Sequence, residues 1–232
     1  MILIDLNQVL LASVMTLLKQ QKDNSLDENL FRHMVLNSLR SYKVKFSNEF
    51  GELVIACDNT NYWRKKEFPY YKANRKKNQE ASELDWKAIF ECLNRIRQEL
   101  KDNFPYRVID VESAEADDII YSLTKQNDEM ILILSGDKDY IQLHGFTNVS
   151  QYDPTRKKWI KHSDPDRYLY EHVLRGDSSD GIPNILSDAD TFVSGKRQKP
   201  LTQKKIDELY NLAEGYFRSM CYAVKFLNQN QT

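Results

Sequence analysis

The sequence is poor in cysteine, and it lacks both a long apolar run and a net charge of either sign. Its three cysteines, Cys57, Cys92 and Cys221, are far apart and show no C-x-x-C spacing, which argues against a disulfide framework or a zinc site. No apolar stretch approaches the roughly 18 residues that a membrane-spanning helix needs. We therefore expect a soluble protein of a reducing cytoplasm.

Charge and common catalytic motifs exclude further classes of protein. The 33 basic and 34 acidic side chains give a formal net charge of -1, so any nucleic-acid contact must depend on local charge. The sequence contains no P-loop and no G-x-G-x-x-G, which argues against nucleotide binding. It also has no G-x-S-x-G, and its four histidines lack H-E-x-x-H spacing. A serine hydrolase and a zinc protease are therefore not indicated.

Short apolar runs alternate with segments of helical periodicity. Runs at residues 2–6, 52–58, 106–112 and 130–137 are too short for helices and apolar on both faces, which is typical of buried parallel strands. The segments between them have apolar residues at helical spacing, and Ser82 to Asp85 resembles a capping box. A two-strand excursion follows near residues 148–162, and then a helix with Asp164 as N-cap and Pro165 in its first turn. This order predicts an α/β fold with a central, mainly parallel sheet flanked by helices.

Acidic residues follow the predicted strands. Asp5, Asp58, Glu112 and Asp137 lie at or near the carboxyl ends of four strands, and in a parallel sheet these ends share one edge. The motif EADD adds Glu115, Asp117 and Asp118 in the first turn of the next helix. Any one of these acids could be an ordinary turn or helix-dipole residue. Together they would repel one another without a cation, so the joint pattern favours a site for hard divalent ions such as Mg²⁺, with Glu112 its weakest member.

The order of these motifs resembles a known family. Asp5, Asp58, EADD (115–118), SGDKD (135–139) and GDSSD (176–180) together resemble the metal-ligand series of the 5′-nuclease, or flap endonuclease, superfamily. Within it, the pattern is similar to the ribonuclease H enzymes of T-even-like phages. The resemblance covers nearly the whole chain. It implies a nuclease core over residues 1–175, with an arch insertion at about 60–82, and a helix-three-turn-helix-like duplex-binding segment over residues 176–232.

The resemblance also implies an activity and a set of ligands. It implies magnesium-dependent removal of RNA primers or 5′ flaps from duplex DNA during phage replication, with two Mg²⁺ ions that Mn²⁺ can replace. Asp5, Asp58, Asp118 and Asp137 would surround the first ion, with Asp118 and Asp137 also counted as catalytic. Glu115 and Asp117 would bridge the ions or support the ligands. The second ion would be held by Asp139, Asp177 and Asp180.

A basic segment rich in aromatic residues follows Asp58. Residues 62–77, YWRKKEFPYYKANRKK, carry seven Lys or Arg and one Glu, with five aromatic residues interleaved. Cations that contact phosphates and rings that stack on bases are typical of channels for single-stranded nucleic acid. The resemblance makes this segment the arch, with Lys72 and Arg75 contacting the phosphate that is cut. We expect further nucleic-acid contacts from Tyr62, Arg64, Tyr70, Lys76, Lys196 and Arg197.

The sequence departs from the family after residue 180. The family's glycine-rich G-x-G-x-K turn is replaced by LSDADTFVSGKRQKP, although Lys199, Lys204 and Lys205 still offer phosphate contacts. The chain also ends earlier than these relatives, so we expect weaker duplex or accessory-protein binding. The expected partners are DNA and RNA·DNA hybrids with single-stranded 5′ ends, and a single-strand-binding protein or sliding clamp. Two alternatives remain open, a PIN-type ribonuclease and a non-catalytic protein that binds DNA junctions.

Overall fold

The computed structural model describes residues 1–20, 26–82 and 84–213, and of residues 19–20, 76–78 and 212–213 only the backbone. The chain forms two compact units. The first unit comprises Met1–Glu67 and Gln79–Ser163. Within the described residues, the second comprises Phe68–Asn78 and residues 164–213. A piece of the predicted arch therefore belongs to the same unit as the GDSSD motif.

The first unit is built on a six-stranded, mostly parallel sheet, which confirms the predicted fold class. The strand order is β3-β2-β1-β4-β5-β6, and the β5–β6 pair is antiparallel. The excursion predicted near residues 148–162 thus extends this sheet, because β5 pairs in parallel with β4. The strands are β1 (Ile2–Asp5), β2 (Leu53–Cys57), β3 (Arg107–Asp110), β4 (Ile131–Leu134), β5 (Val149–Asp153) and β6 (Lys158–Ile160).

The central strands are apolar on both faces because helices cover both sides of the sheet. Ile2 and Ile4 of β1 pack into one buried cluster, which includes residues of the first, second and fifth helices. Leu3, between them in sequence, packs into a second cluster on the opposite face, which includes residues of the sixth helix. Alternate residues of a strand point to opposite faces, so an uninterrupted apolar run is the pattern that such a sheet requires.

Outside the basic segment, where the structure has two short helices, the helices follow the predicted order with two differences in detail. The second helix continues to Phe50, whereas the helical periodicity of the sequence covers residues 26–42. The predicted capping box at Ser82 is wrong, because Asp85 is the N-cap of the fifth helix and its side chain accepts from the Ala88 amide. The helices are α1 (Leu6–Gln20), α2 (Glu28–Phe50), α3 (Arg64–Glu67), α4 (Ala73–Glu80), α5 (Trp86–Asn103), α6 (Ala116–Gln126), α7 (Pro165–Arg175) and α8 (Gln203–Ala213).

The second unit contains a pair of helices, α7 and α8, with a turn-rich connection between them. The helices pack through a small cluster that includes Tyr170, Leu174 and Ile206. The predicted start of α7 is confirmed, since the side chain of the N-cap Asp164 accepts a hydrogen bond from the Arg167 amide. Within the part of the chain that the structure describes, no helix is long and apolar enough to cross a membrane.

Candidate active site

Three aspartates lie at the carboxyl ends of three neighbouring strands in the first unit. Asp5 is the last residue of β1, Asp58 follows the last residue of β2, and Asp137 comes three residues after β4. β1 lies between β2 and β4 and is parallel to both. Because parallel strands end at the same edge, the sheet brings these side chains together. This is the edge at which open α/β sheets bind their ligands.

The start of α6 adds three more acids to this edge. Glu115 is the N-cap residue, and the Asp118 carboxylate accepts a hydrogen bond from the Glu115 amide at 2.9 Å. The Ala116 amide, in the first turn, donates to Asp58 at 2.7 Å, which ties the helix to the end of β2. The six residues form what we call the carboxylate cluster: Asp5, Asp58, Glu115, Asp117, Asp118 and Asp137.

The pKa values of two members show how strongly the cluster concentrates negative charge. Burial raises the pKa of Asp5 well above its ordinary value, and the nearby charges of Asp117 and Asp58 raise it further. Burial also raises the pKa of Asp117 to about 7, with a further contribution from Asp137. Buried carboxyl groups that repel one another retain protons unless a cation compensates them. Ionising every acid of the cluster at once therefore has a high cost in free energy.

Tyr140 stabilises the ionised form of Asp117. Its hydroxyl donates a hydrogen bond to Asp117 at 2.5 Å, which opposes the effect of burial on the pKa of the carboxyl group. Burial and the charge of Asp117 raise the pKa of Tyr140 well above 10, so the hydroxyl remains a donor at neutral pH. Tyr140 lies in the short 3₁₀ helix Asp139–Gly145, directly after the GDKD motif. This role of Tyr140 was missed from the sequence.

Arg64 neutralises two members of the carboxylate cluster. Its guanidinium donates two hydrogen bonds to Asp118, at 2.8 and 2.9 Å, and one to Glu115 at 2.9 Å. Glu115 is almost fully buried, with 1% of its surface exposed, so this ion pair compensates a charge that water does not reach. The guanidinium stacks on the ring of Trp63, whose Nε1 also donates to Asp118. The sequence predicted that Arg64 contacts nucleic acid; in this structure, it binds these acids.

Two amide side chains at the start of α1 also belong to the site and were missed from the sequence. Asn7 donates to Asp58 at 2.6 Å, so both carboxylate oxygens of Asp58 accept hydrogen bonds from the protein. The backbone amide of Gln8 donates to Asp5, and the side-chain oxygen of Gln8 accepts from the backbone amide of Gly136, just before Asp137. Polar residues directly after Asp5, in an otherwise apolar terminus, were the signal available in the sequence.

The remaining acids of the first unit have different surroundings. The Asp139 amide donates to the carboxylate of Asp137 at 3.0 Å, so the two residues of the GDKD motif are directly linked. Glu112, the weakest candidate metal ligand in the sequence, is exposed. Asp110, the last residue of β3, is paired with Arg97 at 3.5 Å.

The second unit contains the other two predicted ligands, Asp177 and Asp180, in one turn. Asp177 accepts hydrogen bonds from the amide and the hydroxyl of Ser179, both at 2.7 Å. These bonds lower the pKa of Asp177, although its partial burial acts in the opposite direction. Asp180 instead accepts from the Tyr71 hydroxyl at 2.9 Å and forms ion pairs with Arg75 and with Lys72, the latter at 3.9 Å. The two predicted arch cations thus contact a predicted metal ligand.

The other predicted nucleic-acid contacts are distributed over both units. Tyr62 stacks with the Lys65 ammonium, 4.4 Å from the ring centroid, and Tyr70 is 38% exposed beside Phe68. Lys196 is paired with Asp190 at 3.1 Å, and Arg197 is exposed. The side chain of Lys76 lies outside the described part of the chain.

Comparison with known families decides what kind of site this is. Residues 1–172 match the model of the 5′-3′ exonuclease N-terminal, resolvase-like domain. The chain belongs to the 5′-3′ exonuclease family. It is therefore a 5′ nuclease, a hydrolase of phosphodiester bonds, and the carboxylate cluster lies within the matched region.

Two relatives show how far the similarity extends. The chain is 33% identical to the ribonuclease H of Enterobacteria phage T4 over 221 residues, which cover 90% of this chain and 72% of the relative. It is 30% identical to a 5′-3′ exonuclease of Buchnera aphidicola over 155 residues, which cover 61% of this chain and 50% of that protein. The similarity to a phage enzyme therefore includes both units.

Solved structures agree on the fold. The flap endonuclease of bacteriophage T5, solved in a complex with DNA and metal ions, superposes with a TM-score of 0.63 over 92% of this chain and 84% of that chain. The same phage protein co-crystallised with metal ions gives a TM-score of 0.62. At 18% sequence identity, these matches show that the fold is shared.

Proposed function

We propose that this 5′-3′ exonuclease family member is a divalent-metal-dependent nuclease that removes RNA primers or 5′ flaps from duplex DNA during phage DNA replication. The proposal rests mainly on one observation, that Asp5, Asp58, Asp117 and Asp137 converge at one edge of the sheet. Their mutual repulsion contributes to the raised pKa values of Asp5 and Asp117. A non-catalytic DNA-binding protein would gain nothing from such repulsion, because uncompensated carboxylates also repel phosphates.

The donor set of the carboxylate cluster fits a hard divalent cation. Mg²⁺ and Mn²⁺ prefer carboxylate oxygens, and the cluster offers no sulfur or imidazole ligand among the residues described here. Arg64 compensates Glu115 and Asp118, whereas Asp5, Asp58, Asp117 and Asp137 repel one another. We propose that these four side chains bind the first Mg²⁺, directly or through water, and that Arg64 keeps Glu115 and Asp118 in place beside them.

Side chains and backbone amides of the protein would then have separate roles in hydrolysis. Ions of this type, when bound, lower the pKa of a water molecule and neutralise charge on the leaving oxygen. Tyr140 and the Gln8 amide orient Asp117 and Asp5, while Asn7 and the Ala116 amide fix both oxygens of Asp58. Cations of the second unit, Lys72 and Arg75, bind the nucleic-acid backbone and offset its negative charge. Water, rather than a side chain, would attack the phosphorus atom with the 3′ oxygen as the leaving group, so the products would carry a 5′-phosphate and a 3′-hydroxyl.

The substrate class follows from the basic segment and from the relatives. The segment combines cations with partly exposed aromatic rings such as Tyr70, which suits a strand with unstacked bases. The T4 relative is a ribonuclease H, and the T5 protein is a flap endonuclease solved with DNA. We therefore propose that the chain acts on RNA·DNA hybrids and on DNA with single-stranded 5′ ends, and we expect Lys196 and Arg197 to contact duplex phosphates.

The second Mg²⁺, the replication partners and the oligomeric state stay predictions. From the sequence, Asp139, Asp177 and Asp180 are the predicted ligands of the second ion. Because Asp180 is already bound to Tyr71, Lys72 and Arg75, we keep Asp139 and Asp177 as the expected ligands. Binding to a single-strand-binding protein or a sliding clamp, and a monomeric state, are expected from the resemblance to phage enzymes.

The test of the proposal is cleavage of two 5′-labelled substrates, a DNA flap and an RNA·DNA hybrid, with Mg²⁺ and with a chelator. We expect cutting that requires Mg²⁺ and is lost in Asp137→Asn. Asp102→Asn is the matched control, because Asp102 is an exposed residue near the end of α5, before β3. If neither substrate is cut and Asp137→Asn binds DNA as the wild type does, the chain is a binding protein and the proposal fails.

A further inference from the structure

Two aspartates of one turn, Asp177 and Asp180, have different partners within the second unit. Both are predicted ligands of the second metal ion. In the hydrogen bonds described for its side chain, Asp177 accepts from Ser179 and from the Asp180 amide, which belong to its own turn. Asp180 bonds instead to residues about 105 positions earlier in the chain, in the segment 68–78.

The Asp180 carboxylate is the centre of a small charged network. Tyr71 donates to one oxygen at 2.9 Å, and the Arg75 guanidinium binds the other. The Lys72 ammonium lies 3.9 Å from the first oxygen and 4.8 Å from the centroid of the Tyr71 ring. Only 15% of the Asp180 side chain and 14% of that of Lys72 is exposed, so water screens this pair weakly, whereas 49% of the Arg75 side chain is exposed.

Backbone contacts hold the same segment against the turn. The Lys72 amide donates to the Asp180 carbonyl at 2.7 Å, and the side chains of Asn74 and Arg75 donate to the carbonyls of Ser178 and Ser179. Lys72 adopts a left-handed backbone conformation, with φ of 56°, which a non-glycine residue keeps only when its surroundings fix it.

Gly181 allows this close approach. Its own φ is 75°, and a Cβ atom there would lie 3.0 Å from the Tyr70 carbonyl oxygen. The GDSSDG turn and the segment 68–78 are therefore matched in shape as well as in charge.

We propose that Asp180 is a positioning residue that holds Lys72 and Arg75 in place for the substrate, and that it does so without a metal ion. The carboxylate offsets the repulsion between the two cations and orders the segment before nucleic acid binds. A phosphate can then replace the carboxylate as the partner of Arg75, while the hydrogen bond from Tyr71 keeps the segment attached. The consequence for binding rests on the proposed function; the attachment of the segment does not.

Hydrogen exchange of residues 68–78, in chelator and without nucleic acid, tests the attachment. We expect Asp180→Asn to speed exchange of the Lys72 amide by about tenfold, because opening of the segment becomes more frequent. Asp177→Asn is the matched control, since the asparagine oxygen can still accept the bonds of the turn. Equal exchange in wild type and Asp180→Asn would overturn the proposal.

Calorimetric titration with Mn²⁺ separates positioning from metal binding. We expect Asp180→Asn and the wild type to bind the same number of ions with affinities within about threefold. Loss of one ion in Asp180→Asn, together with unchanged exchange of residues 68–78, would show that Asp180 is a metal ligand and would overturn the proposal.

Tyr71→Phe gives an independent variant, because it removes one hydroxyl and no charge. We expect it to speed exchange of residues 68–78, and to add little to Asp180→Asn when the two are combined, since both changes break the same contact. Fully additive effects would contradict a shared role.

Kinetics on the 5′ flap give the functional readout. We expect Asp180→Asn to raise KM by about tenfold and to change kcat by less than about threefold, with partial recovery in Asp180→Glu, because ordering of the segment aids binding. A loss of kcat of about 100-fold at unchanged KM would contradict positioning. An inactive wild type would refute the proposed function and leave the exchange results to decide the attachment.

Discussion

Two charged regions, one in each unit, have opposite imbalances among the contacts described. In the first unit, Arg64 pairs with two of the six acids of the carboxylate cluster, and the pKa values of Asp5 and Asp117 are raised. In the second, one carboxylate, Asp180, is paired with two cations, Lys72 and Arg75. Acids therefore outnumber cations in the first set of contacts, and cations outnumber acids in the second. On the proposed function, we expect divalent cations to complete the first region and phosphates to complete the second.

The largest effect that tests this comparison is expected from Asp5→Asn. Removing one buried carboxylate from the cluster should lower cleavage by about 10³-fold, because metal binding supplies several kcal/mol of charge stabilisation. The same change should raise the Tm of the metal-free protein at pH 8 by about 2–4 °C, since it removes repulsion worth about 1 kcal/mol. Nuclease assays and thermal unfolding in chelator measure the two effects.

Glu112→Gln is the control for that experiment, because Glu112 is an exposed acid beyond β3 and outside the carboxylate cluster. It should change neither cleavage nor Tm. If Asp5→Asn lowers the Tm of the metal-free protein, the acids of the cluster do not repel one another as we describe.

The next effect is a dependence of stability on pH. The folded protein keeps a proton on Asp117 up to a pKa of about 7, whereas the unfolded chain releases it near the ordinary value of 3.8. The contribution of Asp117 to the free energy of unfolding of the metal-free protein should therefore be largest below about pH 4 and be lost as the pH rises through 7, by at most about 1.4 kcal/mol per pH unit. Asp5 contributes in the same direction.

Urea unfolding in chelator between pH 5 and pH 8 measures this slope. Asp117→Asn should flatten it, because the titrating group is gone, and Glu112→Gln should leave it unchanged. Binding of Mn²⁺ near pH 6.5 should release protons, which calorimetry in buffers of different ionisation enthalpy detects. If the free energy of unfolding depends on pH equally in Asp117→Asn and in the wild type, a group other than Asp117 titrates in this range.

The smallest effect is expected from Arg64→Gln, which removes the internal cation of the cluster. The metal-free protein should lose about 2 kcal/mol, because Glu115 is left buried without its partner. Added Mn²⁺ should restore more stability to the variant than to the wild type. Thermal unfolding with and without the ion measures this difference.

Arg95→Gln is the matched control, because Arg95 pairs with Glu28 at a surface position and about half of its side chain is exposed. It should cost no more than about 0.5 kcal/mol. An equal gain from Mn²⁺ in Arg64→Gln and in wild type would show that Arg64 and the ion do not compensate the same charge.

Much of the fold and part of the site could be predicted from local sequence. Short apolar runs identified the strands, and Asp5, Asp58 and Asp137 were located because these acids lie at the end of those runs or within three residues of it. The start of α6 was predictable from EADD. By contrast, the start of α5 was predicted wrongly, because Ser82 and Asp85 both match a capping pattern and only the backbone geometry distinguishes them.

Side-chain partners over long distances in the chain could not be predicted. Arg64 lies 51 residues before Glu115, and Tyr71 lies 109 residues before Asp180. The basic segment reads as a single nucleic-acid surface, yet its cations bind acids of the first unit at Arg64 and of the second at Lys72 and Arg75. No periodicity or spacing within the segment indicates this division. The division depends on which residues, distant in the chain, fold against each part of the segment.

The sequence by itself determined the parallel sheet and the gathering of acids at one edge. Both follow from short-range rules, namely alternation of side chains along strands and the common direction of parallel strands. Tertiary structure alone decided that Arg64 pairs with Glu115 and Asp118, and that Asp180 faces Tyr71, Lys72 and Arg75. Electrostatic partners are set by distance in space, and burial then decides how much each unpaired charge costs.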